Sequence, residues 1–206
     1  MQKSVFHGTN QLFKEFSQDK GRVPNDYFGS GVAYFTDTLD IAKGYAKAMF
    51  KKGASIGSSN NIELVYQVQL QINKLFDVDN KYTGKELTKF YSRSEQESFA
   101  RGAGLLTYGV DKYDVLTKLD DGSIELTGEQ VFNGLSSGNI NTAKAREKLK
   151  SLGYSTLRYN GGTFTGSPKH NVYIAYYARD IRIIDHFILE SPKFNIDGMD
   201  FKKIPR

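Results

Sequence analysis

Cysteine and tryptophan are absent from this chain of 206 residues, and proline and methionine are scarce, at 4 and 3. Without cysteine neither a disulfide framework nor a thiolate metal site can form, and no metal site is expected. The same absence suits a reducing compartment. No run approaches the roughly 18 apolar residues of a membrane span. Met1-Gln2-Lys3-Ser4 leads into no apolar stretch or cleavage signature. The expectation is a cytoplasmic protein with no membrane partner.

Apolar residues make up 39% of the chain and charged residues 25%, the balance of a soluble globular protein. The length suffices to bury one core, so residues 1–206 read as a single domain. Aromatic residues are abundant, with 13 Tyr and 14 Phe. Most such rings build cores, yet a Tyr-rich chain can also line a site that stacks flat nitrogenous rings. The formal charge of +5 favours phosphate-bearing partners, nucleic acid among them.

Periodicity implies an α+β domain with a mainly antiparallel sheet and inserted helices. Residues 4–9 read as a short strand ending around Gly8. Asp37 or Thr38 can cap a helix carrying Ile41, Ala42, Tyr45, Ala46 and Met49 on one face, with Gly53 as its stop. From 62 to 76, Leu64, Tyr66, Val68, Leu70 and Ile72 alternate with polar neighbours and predict one long strand. Residues 83–110 look helical and polar, broken at Arg101-Gly102-Ala103-Gly104. Asp120-Asp121-Gly122 between two apolar runs predicts a hairpin over 115–126. Thr127 and Gln130 have capping-box spacing, and 141–152 is a second helix closed by Gly153. Strands are expected at 154–159, 172–177 and 181–184, with a Gly-rich loop over 160–168.

Two segments near the start carry chemistry. They are Val5-Phe6-His7-Gly8-Thr9 and Gly29-Ser30-Gly31-Val32-Ala33-Tyr34-Phe35-Thr36, the second running into the helix of Tyr45. A neutral imidazole both donates and accepts hydrogen bonds, which suits a ribose hydroxyl. Gly8 has no Cβ, so its backbone can approach a flat amide closely. Taken alone, the same residues also describe a strand ending in a glycine turn, with Tyr34, Phe35 and Tyr45 as core.

Together these segments resemble the NAD site of ADP-ribosyltransferases. The likeness is closest to the His-Tyr-Glu branch, which holds poly-ADP-ribose polymerases, diphtheria-type toxins and phage and bacterial polyvalent-protein transferases. It implies a split antiparallel sheet and NAD as substrate. In that family the positions of His7, Gly8 and Thr9 hold the adenosine ribose and the nicotinamide carboxamide. Tyr34, with Phe35 beside it, and Tyr45 would sandwich the nicotinamide ring, gaining roughly 0.5–2 kcal/mol per face. The turn before Tyr34 is one residue longer than the family's, and Ala42 stands where relatives often place a serine.

Near the C-terminus, Leu152-Gly153-Tyr154 and Asn171-Val172-Tyr173-Ile174-Ala175-Tyr176 resemble the family's final helix and strand. Val172 falls where the catalytic Glu would stand. The substitutes within reach are Asn171, His170 or none, and the resemblance makes His7, Tyr34 and Asn171 the catalytic candidates. Glu95-Gln96-Glu97 fits a pattern of another branch but lies on a polar helical stretch that reads as a solvated face, the alternative being that one of its carboxylates reaches the site in place of the missing Glu. The resemblance covers about 4–50, 61–79 and 149–184. Residues 80–148 read as a variable insertion.

The implied activity is transfer of one ADP-ribose to a macromolecular acceptor, protein or nucleic acid, by a bacterial or phage effector held in check by an inhibitory partner protein. The alternative is a pseudo-transferase that binds NAD, ADP-ribose or nucleic acid without chemistry.

Overall fold

A computed structural model describes residues 1–17, 28, 32–55, 62–162 and 168–190. The expected turn Gly29-Ser30-Gly31, much of the Gly-rich loop and the tail after Glu190 lie outside the described residues. In chain order the elements are β1 Gln2–Thr9, β2 Ala33–Thr36, α1 Leu39–Ser55, β3 Glu63–Gln71, β4 Leu75–Asp77, β5 Lys81–Tyr82, α2 Gly84–Leu87, α3 Gln96–Gly102 and α4 Lys112–Asp121. There follow β6 Leu126–Thr127, α5 Gly128–Leu135, α6 Thr142–Ser151, β7 Thr156–Asn160, β8 Asn171–Ala175 and β9 Ile181–Glu190. The fold is α+β. No helix among the described residues is long and apolar enough to cross a membrane.

Seven strands form one sheet in the order β4-β7-β8-β2-β1-β3-β9. Among the described strands only β4 and β7 pair in parallel. One face of the β1–β3 half buries Val5, Leu64, Tyr66, Val68 and Leu70 with Phe35 and Tyr173. On the other face α1 lays Ala42 and Ala46 against Val65. The β7–β8 half buries Leu157, Ile174 and Tyr176 under the helical region, against Phe90, Phe99 and Phe132. Alternation along each strand thus feeds two cores from one sheet.

Three expectations need correction. The long strand over 62–76 is two strands at opposite ends of the sheet. Ile72 exchanges hydrogen bonds with Met1, its N–H to Met1 O at 2.7 Å and its carbonyl from the Met1 amine at 2.8 Å. The next two residues are captured by Ser155, whose Oγ accepts from Asn73 N at 3.0 Å and whose N–H donates to Lys74 O at 2.9 Å. The chain is thereby handed from β3 to the far edge beside β7.

The hairpin over 115–126 is instead a helix, α4. Asp111 caps it by accepting from Tyr113 N at 2.8 Å, and Val115 and Leu119 bury one face at a spacing of four. Gly122 does adopt the left-handed conformation, with φ of 71°, but as a helix terminator, a role such a glycine fills as readily as a hairpin turn. Finally, Gly53 does not stop α1, which runs to Ser55. A helical glycine costs only about 1 kcal/mol.

The helix ends at Thr127 and Gly153 follow the sequence signals. Thr127 and Gln130 form the full capping box, and Gly153 follows α6 with φ of 83°.

Candidate active site

The sheet parts between β1 and β2. They share a single pair, Phe6 with Thr36, and the next pair in that register, Gly8 with Tyr34, does not form. Met1 and Ile72 exchange both hydrogen bonds, so by antiparallel alternation Lys3, Val5, His7 and Thr9 bond β3. Phe6 and Gly8 therefore turn their N–H and C=O groups away from β3. For Gly8 that direction is the opening itself.

His7 spans the parting. Its Nδ1 lies 2.7 Å from the carbonyl oxygen of Tyr34, which can only accept, so Nδ1 carries the proton and Nε2 keeps a lone pair. The imidazole is half-buried, with Phe16 and Phe35 at ring distances of 5.2 and 5.7 Å. Burial pushes its pKa below the ordinary value, with the hydrogen bond to Tyr34 opposing. His7 is thus held neutral, in one tautomer, at the mouth of the opening.

The cleft at this parting is lined by Phe6, His7, Gly8, Tyr34, Phe35, Thr36, Tyr45, Met49, Tyr159 and Val172. Its volume is about 230 Å³. Pockets for drug-sized ligands span about 300–1,000 Å³, so the enclosed part suits one ring with its sugar and the rest of a dinucleotide would extend outward. Tyr45, on α1, is 48% exposed and Met49, one turn on, 47%, leaving large side chains open at the rim. Tyr34 reaches the cleft from β2 while packing against the β7–β8 core.

Gly8 has two reasons to be glycine. Its amide faces the cleft, and on the helix side a Cβ would overlap the carbonyl oxygen of Ala42 and sit 2.7 Å from Ala46 N. The close crossing of α1 also explains Ala42, fully buried at that contact, where a larger side chain would push the helix away.

The structure brings His7, Gly8, Tyr34, Phe35 and Tyr45 into one cleft. Thr9 does not line it; its hydroxyl accepts from Gln11 N at 3.3 Å. Val172 lines the floor. Its neighbour Asn171 therefore projects from the opposite face and is held there. Asn171 Nδ2 donates to Asp37 Oδ2 at 2.6 Å and its N–H to Oδ1 at 3.1 Å, while its Oδ1 accepts from Arg158 at 3.0 Å. Arg158 pairs in turn with Asp77 at 2.5 Å. This ladder ties β4, β7 and β8 to the end of β2. Burial raises the pKa of Asp37, but the bonds from Asn171, with Lys3 and Thr38, outweigh it and hold the carboxyl below the usual range.

Glu95 and Glu97 lie away from the cleft. Glu95 accepts from Ser92 at 2.8 Å, and Glu97 pairs with Arg101 and Lys112. Sequence reading missed Phe6, Thr36, Met49 and Tyr159 as cleft residues. Met49, four residues after Tyr45, was legible from helical spacing. Tyr159 was not, because it enters through pairing opposite Val172 across β7 and β8.

A family model described as ADP-ribosyltransferase in polyvalent proteins matches residues 1–188. No curated protein and no solved structure matches the chain.

Proposed function

The chain belongs to the family of ADP-ribosyltransferases in polyvalent proteins, and on that premise we propose that it cleaves NAD and passes a single ADP-ribose to a macromolecular acceptor. One observation carries the proposal: Tyr34 and Tyr45 line a single cleft into which the backbone of Gly8 faces and at whose mouth His7 is held neutral. The two phenol rings supply faces for the nicotinamide, and the Gly8 N–H and C=O match the acceptor and donor of a carboxamide. His7 Nε2 accepts from a ribose hydroxyl. Such a site acts by orienting the dinucleotide and excluding water from the breaking bond.

The acceptor is protein or nucleic acid, the net charge of +5 favouring an anionic one. A cytoplasmic effector restrained by an inhibitory partner fits this activity. Mass spectrometry of cell protein and RNA after expression tests the proposal. Added ADP-ribose that disappears with Tyr34→Ala is the expected result, and its absence from both pools counts against it.

A second reading has its own support. No carboxylate is among the described residues lining the cleft, and a binder of NAD or ADP-ribose without chemistry needs none. Nicotinamide release separates the two.

A further inference from the structure

The floor of the cleft is one row of side chains across four strands. Phe6 on β1 pairs with Thr36 on β2, Thr36 with Val172 on β8, and Val172 with Tyr159 on β7. All four line the cleft. Opposed residues share a face of the sheet, with Cβ atoms about 4.5–5.5 Å apart. The Thr36 hydroxyl therefore stands between two apolar side chains, those of Phe6 and Val172. His170 is packed against Gly161 and is not among the lining residues.

Thr36 is 3% exposed. Its Oγ1 accepts from Thr38 N at 3.2 Å, at the point where the chain leaves β2 for α1. A hydroxyl has one proton to donate and two lone pairs, so this bond leaves the O–H and one lone pair. Among the described residues the O–H meets no acceptor. A valine, equally β-branched, would fill the row as well. The leftover polar capacity of a buried hydroxyl calls for an explanation.

The place of Thr36 along β2 supplies one. In the register that pairs Phe6 with Thr36, Tyr34 is level with Gly8. Thr36 follows on the same face, about 6.5 Å farther along the strand. We propose that the Thr36 hydroxyl holds the ribose attached to nicotinamide by its two adjacent hydroxyls, an inference that rests on the transferase reading. With the nicotinamide ring against Tyr34 and its carboxamide at Gly8, that ribose lies over Phe6 and Thr36. The free lone pair of Oγ1 accepts from the hydroxyl on C2″, and the O–H donates to the oxygen on C3″. As the bond from C1″ to nicotinamide breaks, its electron pair goes to the ring nitrogen and positive charge builds at C1″. A C2″ hydroxyl that donates to Oγ1 keeps more electron density on its own oxygen, beside that charge.

The test measures nicotinamide release by the full chain, with water as acceptor, from NAD and from its analogue lacking the C2″ hydroxyl. Thr36→Val keeps the shape and removes both hydrogen bonds to the sugar. Its kcat/KM on NAD is expected to fall on the order of 10-fold, and on the analogue by no more than about twofold. Thr36→Ser is expected to restore the wild-type value on NAD. Where the analogue is bound but not cleaved, calorimetric affinities for the two dinucleotides give the same comparison. Thr36→Ala removes the same hydroxyl and is read in the same way should Thr36→Val fail to fold. Full activity on NAD without the hydroxyl overturns the role of Thr36. So does an equal loss on both dinucleotides, which the bond to Thr38 alone would explain. Either result leaves the transferase reading standing, whereas a wild-type protein that binds NAD and releases no nicotinamide overturns both.

Discussion

The Nδ1–H of His7 donates to the carbonyl oxygen of Tyr34 at 2.7 Å, and this bond stands where a backbone ladder bond from Gly8 would otherwise be. One side chain thus occupies the acceptor that would have zipped β1 to β2, and the backbone of Gly8 is left facing the cleft. The same bond selects the tautomer that leaves Nε2 as an acceptor. His7→Ala is therefore expected to weaken NAD binding by about 0.5–1.5 kcal/mol for each ribose hydrogen bond lost. Titration calorimetry reads this directly, and unchanged affinity with a large fall in melting temperature would leave His7 a purely structural role.

His7 also sets a pH dependence. Its folded pKa lies below the unfolded value, so the unfolded chain binds the proton more readily. The associated stability is complete above about pH 6.5 and is lost as the pH falls from there to the folded value. Melting temperatures recorded from neutral pH downwards should fall more steeply for the wild type than for His7→Ala. Parallel curves would contradict the assignment.

Gly8→Ala tests the crossing of α1. The added methyl would meet Ala42 O and Ala46 N, both rigid helix backbone. The cost expected of overpacking is about 1–3 kcal/mol, a drop of roughly 2–4 °C per kcal/mol at this chain length. A melting temperature within one degree of wild type would show that the helix yields.

Asn171→Ala separates the two faces of β8. It removes the side-chain bond donated to Asp37 and the one accepted from Arg158, while the backbone N–H of residue 171 still donates to Asp37, and bonds to charged groups contribute about 1.5–3 kcal/mol each. Stability should fall while NAD affinity stays constant. Because these bonds hold Asp37 below its ordinary pKa, they contribute stability that is present above the unfolded value and lost as pH falls through the folded one. The variant should accordingly lose less stability in acid. Weaker NAD binding would place the side chain in the cleft after all.

The product should carry one ADP-ribose per site. Val172 on the cleft floor cannot polarise a hydroxyl of a bound ADP-ribose unit, and no carboxylate among the described lining residues replaces it. Digestion of the product by phosphodiesterase after reaction with excess NAD checks this. Chain-internal ribosyl-adenosine units would contradict it.

Local signals were the legible ones. The strand of His7 and Gly8 and the helix of Tyr45 follow from alternation and helical spacing, and their convergence follows from the resemblance. Asn171 shows the limit: one step along a strand exchanges the cleft for the opposite face, and the sequence fits either register. Pairing between distant strands is equally hidden, which is why Tyr159 went unread and why 62–76 looked like one strand. Gly122 was ambiguous in kind, since a left-handed glycine ends a helix or turns a hairpin. In α4 the decision fell to the packing of Val115 and Leu119, a tertiary fact.

The central claim is that the cleft between Tyr34 and Tyr45 breaks the nicotinamide–ribose bond. Incubating the full chain with NAD labelled in the nicotinamide ring tests it most directly. Release of free nicotinamide by the wild type, abolished in Tyr34→Ala and Tyr45→Ala, is the predicted result. NAD that binds and is recovered intact would contradict it and leave a binding protein in its place.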